Sequence, residues 1–386
     1  MVRKIQGNYF MIFVAETKNG ESVTFRDRKR YLWFFSVLTP TVPGLCALAL
    51  LSGGSEFWAF IPLLFYYVGV PLLDTIVGED DSNPPEEVVE KLSADNFYRV
   101  LLHLTVPVFY FSFLSSAIAA GTLSLSLPAF VALALGAGIA SGAGLTVGHE
   151  LGHKQSWVDR LSARLVLAVT GYAHFSIEHN QGHHKEVATP EDPASARFNE
   201  SVFAFALREI PGAANRGWAL EAKRLEKRGI NLWSWRNELL QGYALTLAIA
   251  AILVFLLGWI MLPFLILHHL FGWYQLTMAN YVEHYGLKRD RKENGRYAPC
   301  EPRHSWNTNH IVSNLMLFHL QRHSDHHANP IRPYQALRDF AELPRLPSGY
   351  PGSFLLALIP PLWFRTMNPK VMAWADGDMA RVNTGV

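Results

Sequence analysis

"VLLHLTVPVFYFSFLSSAIAAGTLSLSLPAFVALALGAGIASGAGLTVGH" occupies residues 100–149 and contains no Asp, Glu, Lys or Arg. A helix needs about 20 mainly apolar residues to cross the hydrocarbon core of a bilayer. This stretch is long enough for two crossings, with a turn near 121–125. Working outward, residues 242–282 form a second uncharged double length, and 31–54 a single one. "FWAFIPLLFYYVGVPLL" (57–73) is shorter but sufficient. The expectation is an all-α integral membrane protein with six transmembrane helices, paired as three hairpins. Composition agrees: 50% of the 386 residues are hydrophobic and 17% are charged, where a soluble domain carries about 25% charged residues. Soluble cores rarely hold uncharged runs of this length.

Lys and Arg near the span ends set the orientation. Arg3, Lys4, Lys18, Arg26, Arg28, Lys29 and Arg30 precede the first span, while the turns near 53–56, 121–125 and 258–263 hold no Lys or Arg. The predicted layout is therefore a cytoplasmic N-terminal segment (1–30), spans one to four (31–147), a cytoplasmic region (148–241), spans five and six (242–283) and a cytoplasmic C-terminal region (284–386). Both termini face the cytoplasm. Thirty residues of charged sequence before the first span do not read as a cleaved signal peptide. Cys46 and Cys300 are the two cysteines. They form no CxxC pair and no disulfide framework, so an iron–sulfur or rubredoxin-type centre is not expected in the chain. The net charge of +2 says little, and no nucleic-acid partner is expected. Residues 75–98 read as a solvated acidic linker, and 199–241 as amphipathic helix with a basic stretch, "KRLEKR" (223–228). Residues 288–296 read as a polar loop, and 351–364 as a buried or interfacial segment too short to span.

Eight of the 16 histidines fall in three tight groups. "HELGHK" holds His149 and His153, "EHNQGHHK" holds His179, His183 and His184, and "RHSDHH" holds His323, His326 and His327. Spacings of three and four put side chains on one helix face, one turn apart, which is chelate geometry. Adjacent His183 and His184 point about 100° apart on a helix and can reach different metals. "NYVEHYG" delivers His284 at the end of the sixth span. Nine imidazoles from four segments can thus converge at the cytoplasmic end of the bundle. That exceeds what one zinc takes, three or four protein ligands, and fits two metals with four and five ligands. Imidazole suits iron, copper, zinc and nickel alike. Glu150, Glu178, Glu283 and Asp325 flank these histidines and can accept the second ring N–H; plain surface charge is the other reading. His268 and His269 lie about 22 Å before His284 along a helix and are too far to join. His103, His174, His304, His310 and His319 are expected to have ordinary polar roles.

"HELGH" also matches the H-E-x-x-H signature of zinc proteases, with Glu150 as base. That mechanism needs one further ligand and leaves most of the other histidines unexplained. A metal transporter would carry its ligands near the bilayer midplane, where these spans are nearly free of them.

The patterns H-x3-H, H-x3-HH and H-x2-HH resemble those of the membrane-bound non-haem di-iron superfamily of desaturases, hydroxylases and monooxygenases. "NYVEHYG", "EHNQGHHK" and "LQRHSDHHA" are similar to the motifs of its alkane 1-monooxygenases, and the likeness runs from about residue 30 to 365. The resemblance implies a histidine-rich catalytic domain holding two Fe ions on His149, His153, His179, His183, His184, His284, His323, His326 and His327. It implies that a linear alkane, O2 and two electrons give a primary alcohol and water. The electrons would come from rubredoxin, fed by an NAD(P)H-dependent rubredoxin reductase, with the chain in the bacterial inner membrane. Arg and Lys at 223–228 and 288–296 offer a surface complementary to an acidic donor; the positive-inside bias accounts for them equally well. A desaturase, or a fatty-acid or aromatic-methyl hydroxylase, is the nearest alternative. An alkane carries no hydrogen-bonding group, so shape and apolar burial must select it, at about 0.8 kcal/mol per CH2. Gly136, Gly138, Gly142 and Gly144 leave room for a channel or for close helix packing. The resemblance also implies that a bulky residue in the second span limits chain length. Trp58 is the candidate, with an interfacial aromatic anchor as its other role.

Overall fold

The computed structural model describes residues 11–385; Arg3 and Lys4 lie outside the described residues. An antiparallel hairpin, β1 (Met11–Glu16) and β2 (Ser22–Asp27), opens the structure. It is followed by α1 (Phe34–Leu51) and α2 (Ile61–Val77). Next come α3 (Glu86–Ser93), α4 (Asn96–Thr122), α5 (Leu127–Gly152) and α6 (Trp157–Thr170). α7 (175–186) precedes α8 (Val202–Glu226), α9 (Glu238–Leu257) and α10 (Met261–His284). The C-terminal part holds α11 (Ile311–Met316), α12 (His323–Ala328), α13 (Tyr350–Ala357) and α14 (Pro360–Trp374).

The hairpin corrects the all-α expectation. Its cause is local: apolar side chains alternate in "MIFVAE", and Asn19–Gly20 turns the chain, with Gly20 at φ +82°. Phe13 and Ala15 then bury against Val88 and Leu92 of α3.

Among the described residues, four helices are long and apolar enough to cross a membrane: α1, α4, α5 and α9. α2 is apolar but shorter. α10 has the length, yet His268, His269, Gln275, Asn280 and Glu283 dilute its apolar character. α5 is the centre of the bundle and α9 its rim: 83% of the most apolar stretch of α5 is buried, against 17% for α9. Phe255 of α9 is 88% exposed, which a water-soluble fold would not tolerate alongside exposed Leu247, Ile252 and Leu256. The α5 glycines serve close packing. A Cβ at Gly136 would meet Pro62, at Gly138 the His268 carbonyl, at Gly142 the Gln275 stem and at Gly144 Val166.

Residues 75–98 are not a free linker. The Asp80 amide bonds to the Asn309 carbonyl at 3.0 Å, and Asn309 Nδ2 donates to Asp81 at 2.6 Å. This segment is therefore fastened to the one that leads into α11. The 351–364 stretch forms α13 and the start of α14, and Tyr350, Phe354 and Trp363 are buried.

Candidate metal centre

The last turn of α5 carries His149 and its C-cap is His153, α7 carries His179, His183 and His184, α10 ends on His284, and α12 carries His323, His326 and His327. Their nitrogens gather in two groups, within each of which they lie within 4.8 Å of one another. His149, His153, His179, His184 and His326 form one group; His183, His284, His323 and His327 form the other. Spacing alone misassigns two pairs. His179 and His183 are four apart, but the turn they bound is a π turn. The wider turn aligns His179 with His184 and sends His183 to the second group. His323 and His326 also part company, whereas His323 and His327 stay together.

The rings point their ligating edges inward. Nε2 of His149 and His326 are 2.8 Å apart, those of His326 and His184 3.1 Å, those of His323 and His284 3.2 Å and those of His327 and His323 2.8 Å. Nε2 of His153, His179 and His183 are buried with no partner among the described residues. Metal–imidazole bonds of about 2.0–2.1 Å, the zinc value, give nitrogen–nitrogen edges of about 3 Å. Burial, then the neighbouring imidazoles, holds His179, His323, His326 and His327 well below the ordinary imidazole range. The same causes pull His184 down to about 2. Neutral rings with lone pairs facing one another in a largely buried pocket are a donor set that fits a metal ion in each group.

The four flanking carboxylates take different places. Glu178 pairs with Arg216, whose Nε donates at 2.8 Å. Asp325 pairs with Arg332 at 3.0 Å and accepts from the Arg338 amide at 2.9 Å. Glu150 is buried beside Tyr334. None of these three holds a ligand's outer ring nitrogen. Glu283 faces the inward ring edges instead: Oε2 is 3.2 Å from His323 Nε2, and Oε1 accepts from the Tyr350 hydroxyl at 2.5 Å. The carboxylate that does hold an outer ring nitrogen is Asp192, 2.9 Å from His183 Nδ1. Burial lowers the His183 pKa, but the Asp192 carboxylate outweighs it and the net direction is up. Arg216 completes the frame, with Nη1 to Glu186 at 2.7 Å and Nη2 to Asp192 at 2.7 Å. Gly182 makes room for it, because a Cβ there would sit 2.6 Å from Arg216 Nε.

The remaining histidines have local partners. His103 meets Asp159, His174 meets Tyr243, and His268 meets Ser141. His304 accepts from the Glu301 amide, His310 meets Thr308, and His319 donates to the Tyr334 carbonyl.

An apolar cavity runs from the histidines into the bundle. His149, His179, Glu283 and His323 line it at one end; Ile139, Tyr66, Tyr67, Gln275 and Phe354 line it further in. Trp58 is not part of it. It lies in a 3-10 turn (Glu56–Ala59) before α2 and is 44% exposed. The second-span aromatics on the cavity are Tyr66 and Tyr67.

A helical membrane-type bundle closed by two histidine cages defines a class, and the sequence profile described as Fatty acid desaturase matches residues 124–354. Alkane 1-monooxygenase 1 of Alcanivorax borkumensis is 53% identical over 365 residues, covering 94% of this chain and 90% of that protein. Alkane 1-monooxygenase of Ectopseudomonas oleovorans is 54% identical over 358 residues, covering 92% and 89%. The xylene/toluene monooxygenase hydroxylase component of Pseudomonas putida is 29% identical over 231 residues, covering 60% and 61%. The chain belongs to the fatty acid desaturase family and, within it, to the alkane 1-monooxygenases.

Proposed function

We infer that this chain is an oxidoreductase that hydroxylates the terminal carbon of linear alkanes. One observation carries the reading beyond family membership: both histidine groups meet the same apolar cavity, through His149 and His179 on one side and His323 on the other. Each group would hold one iron, five imidazoles on one and four on the other. Bound iron supplies the reduction of O2 and the insertion of oxygen into a C–H bond. The overall balance is one alkane, one O2, two electrons and two protons to one primary alcohol and one water. The chain's own residues give the selectivity. The cavity wall offers an alkane mainly apolar contact. Ala143 and Leu276 flank the approach, Tyr350 fixes Glu283 beside the ligands, and Asp192 fixes the His183 ring.

The six-span arrangement extends the four long apolar helices with α2 and α10, and the bias of Lys and Arg keeps both termini cytoplasmic. The layout is then 1–30, 31–147, 148–241, 242–283 and 284–386, in the bacterial inner membrane. Electrons arrive from rubredoxin and its NAD(P)H-dependent reductase. His153 and His184 support an entry point, since they alone of the nine ligands are only half-buried. Each is followed by a lysine, Lys154 and Lys185. Arg289 of the basic loop 288–296 reaches the Lys185 carbonyl at 2.6 Å, so that loop adjoins the same face. An acidic donor is complementary to it. Supplying octane, O2, rubredoxin and reductase tests the assignment. 1-Octanol is the expected product; an alkene, an internal alcohol or no turnover contradicts it.

A further inference from the structure

The cavity has a second end. On α10 the lining residue furthest from His284 is Gln275, nine residues back and so about 14 Å along the helix. There the Tyr67 hydroxyl of α2 donates to Gln275 Oε1 at 2.9 Å. Gln275 Nε2 donates one turn back to the Phe271 carbonyl at 3.3 Å, which turns Oε1 toward Tyr67. Gly142 of α5 seats the stem: a Cβ there would lie 2.7 Å from both Cβ and Cγ of Gln275. Three helices thus build one polar bridge in a predominantly apolar wall.

We propose that the Tyr67–Gln275 bridge is the floor of the substrate cavity and sets the longest alkane that fits with its end at the metals. The proposal rests on the alkane-hydroxylase reading. Up to the bridge, each further buried methylene adds about fourfold to affinity. A chain that pushes through must separate the pair, and an alkane offers neither group a substitute partner. A phenol hydroxyl and an amide oxygen stripped of each other in the cavity lose about fivefold to a hundredfold each. That matches one to three methylenes for each group, so the bridge shifts the preferred length by a few carbons. Gly142 acts through Gln275 and is a positioning residue.

The test is the ratio of kcat/KM for hexadecane to that for octane, measured with rubredoxin and reductase. Gln275→Ala removes the acceptor and its bulk and is expected to raise the ratio at least tenfold. Tyr67→Phe removes a single oxygen and is expected to raise it severalfold. Gly142→Ala displaces the Gln275 stem and moves the ratio the same way. A general structural defect would lower both substrates together and leave the ratio where it was. Unchanged ratios in folded, iron-loaded Gln275→Ala and Tyr67→Phe overturn the proposal. Should Gln275→Ala not fold, Tyr67→Phe decides alone. No alcohol from any alkane with the unsubstituted chain refutes the activity, and the bridge with it. Alcohol with unaltered ratios refutes the bridge alone.

Discussion

His183 is held differently from the imidazoles around it. Its outer nitrogen donates to Asp192, which also accepts from Ser195 at 2.7 Å and from Arg216. A carboxylate in that position fixes the tautomer that leaves Nε2 free for a metal, and raises its basicity. Asp192→Asn keeps the shape and loses the charge. It is expected to weaken metal retention in the four-histidine group by about ten- to a hundredfold, read by chelator competition on the purified protein. Retention equal to that of the unsubstituted chain would remove Asp192 from the site. The histidines themselves were legible in the sequence, because chelate spacing is a local property of a helix. Asp192 was not: it returns to His183 through a loop, and no spacing rule covers a loop. Glu178 and Asp325 misled for the reverse reason. They are next to ligands in sequence, but a helix turns neighbours apart, and arginines claimed them.

At the scale of elements, α12 is set by the residue before it. Arg322 is 2% exposed, and its guanidinium donates to the carbonyls of Asp80, Ser82 and Leu337 at 2.6–3.2 Å. It thereby fastens the 75–98 segment and the chain after α12 to the start of the ligand helix. Phe318 and His319, just upstream, hold left-handed backbone at φ 50° and 53°, a conformation that persists only where surroundings enforce it. Trp33 and Tyr334 pack on that corner. Arg322→Met strips at least two buried carbonyls at about 1–3 kcal/mol each. A loss of about 3 kcal/mol or more is expected, with iron lost first from the four-histidine group. Thermal unfolding and iron content measure both; unchanged values would make Arg322 incidental. The sequence showed the apolar spans because their signal is long and additive. It concealed the role of 75–98, whose acidic composition looks the same solvated or pinned. The β1–β2 hairpin had a visible mark, Asn19–Gly20, that the membrane pattern overshadowed.

The whole molecule places a mainly apolar cavity between lipid-facing helices and two histidine cages. α5 joins the two parts, since the same helix lines the cavity through Gly142 and Thr146 and carries His149 in its last turn. The bundle could be expected from composition, and the meeting of four distant segments from histidine spacing. The sharing of ligands between the two groups could not, because it depends on one π turn in α7. The two histidine groups offer metal-ion sites built without a cysteine. The most direct measurement is metal analysis with X-ray absorption on the purified chain and on His284→Ala. Two irons per chain in nitrogen-rich surroundings, falling to one when His284 is removed, is the expected result. A single metal ion, zinc in place of iron, or a count that His284→Ala leaves unchanged would contradict the account.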